Sequence, residues 1–348
     1  MYREPPTRQQ RLRIAERGSA SASRRRLLLA ATTAGLASIA APSIQAQPAT
    51  WPSRPLRIIV PFGPGGPADL SARALGELIG PDLGQPVIVE NRPGGGSAVG
   101  VMAAAQARDG HTLLMGSNSM VINPLLNPSL SYSVARDFDA IGMVSEQPLV
   151  MVVPASSTIT TVDQFIRQAR ETGIALTAGN SGNATLAHLT AELFSIQTSI
   201  PITSVAYKGE AALMPDLIES RIAFGFLNLP TVLPHLRSGR LRALAVSSAQ
   251  VHPDLPQVPT LAQSGFPALE VTGWAVLLAP SGTIDPGARE RLSQRLAQAL
   301  RSDSLIQKFK TLGVAPVIRD PQATARHLAA EAERWQTVIR SRGIKVEG

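Results

Sequence analysis

Residues 56–69 read LRIIVPFGPGGPAD, and the helix-like segment LSARALGELIG follows them directly. The stretch begins as an apolar strand, exposes its backbone over three glycines and three prolines, and then starts a helix. In α/β folds, ligands bind at such junctions, where strands end at the carboxyl edge of the sheet. The order of these elements therefore predicts an α/β protein with a ligand at this loop, either a nucleotide or a small carboxylate.

A nucleotide at this loop has formal support. Residues 63–68 match the dinucleotide pattern G-x-G-x-x-A, and Glu90 ends the next predicted strand, where a ribose-binding acid would stand. However, Pro64 and Pro67 each remove a backbone N–H at the place where a pyrophosphate needs donors. No Gly-Lys-Ser/Thr follows the loop and no G-x-S-x-G elbow occurs. A dinucleotide-dependent or hydrolytic enzyme is therefore the weaker alternative.

A carboxylate held by backbone N–H groups suits the same loop better. A helix N-terminus leaves about four N–H groups without intrahelical partners and carries roughly half a positive charge, so it binds an anion without a lysine. Pro67 suits the first helical turn, where its missing N–H costs little. Asp69 has two interpretations: it favours the helix dipole, or it accepts a hydrogen bond from the ligand. A bulky residue at Gly66 is expected to prevent closure around the ligand.

Three further junctions have the same character. Residues 94–97, 116–119 and 179–185 are rich in glycine, serine and asparagine, and each group follows a predicted strand. Four such loops would crowd the carboxyl edges of the sheets, where ligands bind, although some of them are expected to be only turns. His188 lies near the start of the helix after the last of these loops, where it either reaches the ligand or serves as a surface or capping residue.

Strand-like runs alternate with helix-period segments, which favours an α/β fold with mainly parallel sheets. Strands are predicted at 56–60, 86–90, 112–115, 141–144, 149–153, 175–178, 203–207, 223–227, 241–246 and 275–279, and helices at 69–80, 98–107, 161–172, 185–196, 209–219 and 229–237. Two amphipathic helices are predicted near the C-terminus, one with Leu292, Leu296 and Leu300 on its apolar face and the other with Trp335 as a packing residue.

Two extended segments divide the chain into two lobes. QPLVMVVPASSTITTVDQF leads from a strand that ends at Pro154 into a helix, and GFPALEVTGWAVLLAPSGT precedes the C-terminal helices. A chain that leaves one lobe, builds a second and returns forms a ligand cleft that closes by hinge motion. The predicted organisation is lobe 1 over residues 51–152 and 271–348, and lobe 2 over residues 153–270.

The composition argues against several classes of site. The 348 residues include no cysteine and 4% aromatic residues, which excludes disulfides and thiolate metal sites and argues against base stacking on nucleic acid. The five histidines have no metal-ligand spacing, so neither a metal nor a cofactor is predicted. The net charge of +8 belongs mostly to residues 1–46, which hold eight arginines and two glutamates, so the remainder offers no basic stripe for nucleic acid.

The first 46 residues have the layout of an export signal. SRRRLLLAATTAGLASIAAPSIQA combines a twin-arginine-like basic cluster with an apolar stretch and small residues, and cleavage is expected after Ala46, with Ala40 as the alternative. The apolar stretch is about 15 residues, shorter than the ~20 that span a bilayer. A soluble, exported periplasmic protein is therefore predicted.

Many segments in sequence order resemble the Bug family, the extracytoplasmic solute receptors of tripartite tricarboxylate transporters. They include WPSRPLRIIVPFGPGGPADLSAR, LGQPVIVENRPGGGSAVG, GNSGNATLAHLTAELF and VAYKGEAALMPDLIESRIAFGFLNLP, and the resemblance extends over residues 51–346. It implies a periplasmic binding protein of type II without catalysis, in which two α/β lobes close on a small carboxylate for delivery to integral membrane transporter subunits. A receptor that presents its ligand to a membrane sensor remains the alternative, and a monomer is expected.

The family holds one ligand carboxylate between a loop of each lobe, and these loops correspond here to residues 62–69 and 181–185. The candidate ligand-binding residues are Phe62, Gly63, Gly65, Gly66, Pro67, Ala68, Asp69, Ser117, Asn118, Ser181, Gly182, Asn183, Ala184, Thr185, His188, Tyr207 and Asn228. Pro67 and Ala68 stand where the family usually has hydroxyl residues, and Leu227 stands where it often has an aspartate. These departures favour a monocarboxylate with an apolar or aromatic tail over a plain dicarboxylate or citrate.

Overall fold

The computed structural model describes residues 51–344, and the predicted export signal at residues 1–46 lies outside them. The strands are β1 Leu56–Val60, β2 Val87–Asn91, β3 Thr112–Ser117, β4 Phe138–Pro154, β5 Leu176–Asn180, β6 Ile202–Ala206, β7 Gly225–Asn228, β8 Leu241–Val246, β9 Thr272–Pro280 and β10 Ala315–Pro316. The helices are α1 Pro67–Leu83, α2 Ala98–Ala105, α3 Asn118–Leu126, α4 Val134–Asp137, α5 Val162–Thr172, α6 Leu186–Thr198, α7 Glu210–Ile218, α8 Leu229–Arg237, α9 Pro286–Leu300, α10 Asp303–Leu312 and α11 Pro321–Arg342.

The strands form two groups that share one long strand, and we call these groups, with their helices, lobe 1 and lobe 2. In lobe 1 the order is β10-β4-β9-β3-β1-β2. In lobe 2 the last part of β4 pairs with β7 and β8, and a bridge from Ala178 to Phe224 links the parallel pair β5-β6 to this group. The long strand β4 therefore belongs to both lobes. The exact boundaries at residues 152–153 and 270–271 remain a proposal, which the change of partners along β4 supports.

The α/β class is confirmed, but the sheets are mixed rather than mainly parallel. Pairs β1-β2, β1-β3 and β5-β6 are parallel, whereas β3-β9, β4-β9, β4-β7, β4-β8 and β4-β10 are antiparallel. The physical reason is the double crossing between lobes. Strand β4 leaves lobe 1 and β9 returns to it, so the two run side by side in opposite directions.

The predicted strands 141–144 and 149–153 are one strand in the structure. The residues between them also belong to the strand, because pairing with β9 continues through Gln147 to Gly273 and Pro148 to Thr272. From Leu149 onward the same strand pairs with β7 and β8. A proline is tolerated here because β4 changes partners at this point and no ladder hydrogen bond from its nitrogen is needed.

Apolar side chains fill both faces of the lobe 1 sheet. Ile58 belongs to the core under α1, α9 and α10, whereas its neighbour Ile59 belongs to the core under α2, α3 and α11, as the alternation of side chains along a strand requires. Trp335 on α11 is 1% exposed in the second of these cores, as predicted. That core continues into lobe 2, where it includes Phe194 and Phe224. The helices thus lie on both faces of each sheet and leave the strand ends free.

Over residues 51–344, no helix combines the length and the apolar character needed to cross a membrane. Within the same range, no group of three or more histidine, aspartate and glutamate side chains is placed to hold a metal ion.

Candidate functional site

Five helices begin at one cavity between the lobes. Their N-caps are Gly66 for α1, Ser117 for α3, Thr185 for α6, Gly209 for α7 and Asn228 for α8. Within the described chain, only Thr185 among these five makes a side-chain capping hydrogen bond. The first turn of a helix leaves N–H groups without intrahelical partners and carries the positive end of the helix dipole. The convergence therefore creates a positive potential without a cationic side chain.

The cavity has about 590 Å³ of atom-free space, its mouth included. Its walls are formed by Phe62, Gly63, Gly66, Pro67, Ala68, Ser117, Asn118, Ser119, Gln147, Ser181, Thr185, Leu186, Ala187, Gly209, Glu210, Asn228, Gly273, Trp274 and Ala275. Among these lining residues of the described chain, none is lysine, arginine or histidine. A ligand anion in this cavity would therefore depend on backbone N–H groups and neutral side chains.

The α1 loop is held in shape by Asp69, which is 2% exposed. Its Oδ2 accepts from Gly65 N at 2.9 Å and from Arg73 Nε at 3.1 Å. Its Oδ1 accepts from Arg73 Nη2 at 2.8 Å and from Asn91 Nδ2 at 2.9 Å. Burial acts to raise the pKa of the Asp69 carboxyl, but hydrogen bonds from Arg73, Gly65 and Asn91 and the charge of Arg73 hold it below its usual value. Both oxygens are thus occupied by the protein, so Asp69 shapes the loop instead of facing the cavity.

The α6 loop is held by His188, which is 5% exposed. The N–H of Ala184 donates to Nδ1 of His188 at 3.1 Å, so the proton of this imidazole lies on Nε2, which points to Glu192 at 3.5 Å. The Thr185 hydroxyl donates to the Gly182 carbonyl at 2.8 Å. His188 is therefore a buried support beneath the loop and does not line the cavity.

The two lobes touch at two places beside the cavity. A Cβ added at Gly96 in lobe 1 would overlap the carbonyl oxygen of Asn183 in lobe 2, and one at Gly63 would lie 2.7 Å from the carbonyl oxygen of Lys208. Gly96 has φ +59°, which glycine adopts without strain. A Cβ at Gly66 would meet no atom within 4 Å and would lie at the cavity wall, so the effect of a bulky residue there on closure stays a prediction. The loops are close enough that a ligand between them is enclosed.

A buried carboxylate on α11 supports the back of the cavity. Glu331 Oε2 accepts from Asn118 Nδ2 at 3.2 Å, from Trp274 Nε1 at 3.1 Å and from Trp335 Nε1 at 3.3 Å. Asn118 Oδ1 in turn accepts from the backbone N of Trp274 at 3.0 Å. Two lining residues, Asn118 and Trp274, are therefore fixed by one acid outside the cavity.

Replacing Glu331 by methionine is expected to lower the free energy of unfolding by about 2 kcal/mol, because buried indole and amide donors lose their acceptor. Chemical denaturation measures the change. Glu331→Gln keeps one acceptor oxygen and is the matched control, for which a loss below about 1 kcal/mol is expected. Equal stability of the methionine variant and the wild type would show that this acceptor is not needed.

The sequence profile of the tripartite tricarboxylate transporter family receptor matches residues 71–344. The chain belongs to this receptor family. It is 38% identical to protein BugT of Bordetella pertussis over 305 residues, which cover 86% of this chain and 92% of BugT. The resemblance noted in the sequence is thereby confirmed.

Solved structures of similar proteins agree with this membership. Rpa4515 of R. palustris, solved with adipate, has a TM-score of 0.81 and 33% identity, and the match covers 85% of this chain and 99% of that one. MatC of Rhodopseudomonas palustris, solved with bound malate, has a TM-score of 0.78 and 25% identity over 83% of this chain and 100% of that one. The receptor family consists of periplasmic solute-binding proteins for small carboxylates that work with membrane transporter components, and not of enzymes.

The structure of this receptor brings many of the candidate residues together at the cavity: Phe62, Gly63, Gly66, Pro67, Ala68, Ser117, Asn118, Ser181, Thr185 and Asn228. It places Gly65, Asp69, Ala184 and His188 away from the cavity walls, in supporting positions. Gly182, Asn183 and Tyr207 line a neighbouring cavity at the contact between the lobes. The Tyr207 hydroxyl donates to Asp216 Oδ2 at 2.6 Å, and its pKa is raised to about 12, by burial first and then by Asp216. Ligand contact by all seventeen candidate residues stays a prediction.

Ser119 also lines the cavity and belongs to the loop predicted at 116–119. Sequence reasoning missed another set of lining residues: Gln147, Leu186, Ala187, Gly209, Glu210, Gly273, Trp274 and Ala275. Gly209 and Glu210 form a fifth glycine junction before a helix, and the same rule that selected the other four would have found them. Gln147 is a polar residue within a largely apolar strand, and such a residue indicates a position that faces a binding site. Gly273 and Trp274 become neighbours of the cavity through the pairing of β9 with β4, which one sequence does not reveal.

Proposed function

We propose that this protein captures a small carboxylate in the cavity between its lobes and delivers it to the membrane subunits of a tripartite tricarboxylate-type transporter from the periplasm. The observation that carries the proposal is the convergence of five helix N-termini on a cavity whose walls hold no cationic side chain in the described chain. Adipate and malate in the similar structures support this ligand class.

Helix N-termini from both lobes explain how binding would favour closure. α1 and α3 belong to lobe 1, whereas α6, α7 and α8 belong to lobe 2, so an anion between them interacts with both sides at once. A ligand shifts a conformational equilibrium only by its differential affinity for the two states, and contacts from both lobes exist only in the closed state. The site therefore couples ligand capture to a shape that a membrane partner can recognise.

A thermal-shift screen of the purified protein tests the proposal. The panel contains adipate, malate, other organic acids, amino acids, aromatic acids and, as the alternative class, NAD. A carboxylate at about 100 times its Kd is expected to stabilise the protein by about 2.7 kcal/mol, which raises Tm by a few degrees. Stabilisation by NAD alone, or by no acid in the panel, would contradict the proposal.

Delivery is tested separately in cells that carry the gene. Deletion of the receptor gene is expected to abolish uptake of the radiolabelled ligand identified by the screen. If uptake persists while a ligand-dependent transcriptional response disappears, the receptor serves a membrane sensor and not the transporter.

A further inference from the structure

Three polar side chains form a connected row along one wall of the cavity. Gln147 lies on β4, Asn228 at the end of β7 and Glu210 at the start of α7. Gln147 is 5% exposed and Glu210 is 3% exposed. We call this row the acceptor wall, because both of its free ends are hydrogen-bond acceptors.

The direction of the hydrogen bonds in this row is fixed by one backbone group. The N–H of Asn228 donates to Glu210 Oε1 at 3.0 Å, so Oε1 is an acceptor. The side-chain atom of Asn228 that lies 2.7 Å from the same oxygen must then be the donor Nδ2. The other end of that amide, Oδ1, faces Gln147 at 3.2 Å and therefore receives Nε2. This leaves Oε1 of Gln147 and Oε2 of Glu210 as the free ends of the row.

Both of these oxygens are buried and have no hydrogen-bond partner in the described chain. The hydroxyl of Thr231 lies near Glu210 but is itself without a partner in hydrogen-bonding geometry there. A buried acceptor without a donor destabilises a protein, and a charged acceptor does so more strongly. Native structures rarely contain two such atoms in residues that line a binding cavity without a function for them.

The hydrogen bond between Gln147 and Asn228 requires a glycine at position 273. A Cβ on Gly273 would lie 2.7 Å from Asn228 Oδ1 and 2.9 Å from Gln147 Nε2. Any other residue at this position would therefore push apart the hydrogen bond that orients the row. Gly273 lies opposite Gln147 because β9 pairs with β4.

We propose that the ligand carries an ammonium group in addition to its carboxylate, and that Glu210 Oε2 and Gln147 Oε1 accept hydrogen bonds from it. The inference rests on the proposed function and narrows the ligand class to amino-substituted carboxylates. It departs from the apolar tail expected from the sequence, because the acceptor wall has no partner for its oxygens in such a ligand.

The charge of the cavity favours an ammonium over a hydroxyl group. Burial raises the pKa of the Glu210 carboxyl, and the nearby Thr231 hydroxyl and the Asn228 amides offset part of that rise. The charged form of this buried carboxyl group is therefore disfavoured unless a positive partner lies beside it, and the lining residues of the described chain supply none. A ligand ammonium supplies that charge, while the helix N-termini attract the carboxylate at the other end of the same molecule.

Isothermal titration calorimetry with matched ligand pairs tests this proposal. The pairs are L-glutamate with glutarate, L-leucine with 4-methylpentanoate and 6-aminohexanoate with hexanoate. In every pair that binds, the amino-bearing member is expected to bind at least about tenfold more tightly. In Glu210→Gln this preference is expected to fall by about tenfold, whereas Glu219→Gln, an exposed acid just after the same helix, leaves it unchanged.

A second variant keeps the test valid if Glu210→Gln fails to fold. Gln147→Met removes the other free acceptor and is expected to lower the preference by a smaller factor. Equal or tighter binding of the members without an amino group overturns the ammonium proposal and leaves the carboxylate function intact, as does an unchanged preference in Glu210→Gln. Failure of every pair together with adipate and malate overturns the carboxylate function and this proposal with it.

Discussion

Gly96→Ala is expected to weaken carboxylate binding by at least about a hundredfold, because the added methyl group blocks the closed state. The Cβ would overlap the carbonyl oxygen of Asn183 in the opposite lobe. In the open state that neighbour moves away, so the lobes themselves fold normally. Calorimetry measures the affinity, and small-angle X-ray scattering is expected to show an expanded shape that ligand does not compact.

Gly173→Ala is the matched control for this substitution. Gly173 has φ +61°, close to the +59° of Gly96, but a Cβ there meets no atom within 4 Å. Both variants therefore carry the same backbone strain of about 1 kcal/mol, and only one has the contact between lobes. If both variants bind ligand as tightly as the wild type, the contact at Gly96 is not part of the ligand-bound state.

Asp69→Asn is expected to lower the free energy of unfolding by about 3 kcal/mol at pH 7, because it breaks a buried charged network. The new amide would place a donor against the donors of Gly65 and Arg73. The α1 loop then loses its shape, and ligand affinity falls although Asp69 does not line the cavity. Denaturant unfolding measures the stability.

The contribution of Asp69 to the free energy of unfolding is expected to decrease at low pH. The pKa of its carboxyl is lowered in the folded protein, so its contribution is complete above the unfolded value near 4 and disappears as the pH falls through the folded value. The difference between wild type and Asp69→Asn should therefore be constant from about pH 5 to 7 and shrink below about pH 4. Asp82→Asn, exposed on the same helix, serves as the control and should change stability by less than about 0.5 kcal/mol at any of these values. A pH-independent difference would show that the charge of Asp69 is not what holds the loop.

Local patterns in the sequence account for much of the fold and for part of the site. The run at residues 56–60 and the glycine loop after it predict β1 and the start of α1, because strand propensity and helix capping act over a few residues. The same holds for the loop at 181–185. Helix α3 was not predicted, since Pro124 lies inside it and its short apolar run has no clear helical period.

Contacts between distant residues account for what the sequence did not predict. Asp69 could be interpreted in two ways because its partner Asn91 lies 22 positions away, and only the pairing of β1 with β2 brings them together. Trp274 and Gln147 line the cavity because β9 returns beside β4. The acceptor wall depends on the same pairing and on the end of β7. No periodicity in a single sequence reports such neighbours.

We propose that the amides of helix N-termini, and no cationic side chain, hold the ligand carboxylate. A crystal structure of the protein with the acid selected by the thermal-shift screen tests this claim most directly. We expect carboxylate oxygens within hydrogen-bonding distance, about 2.7–3.2 Å, of backbone nitrogens in the first turns of α1 and α6. A carboxylate bound by arginine or lysine side chains, or located outside this cavity, would contradict the account.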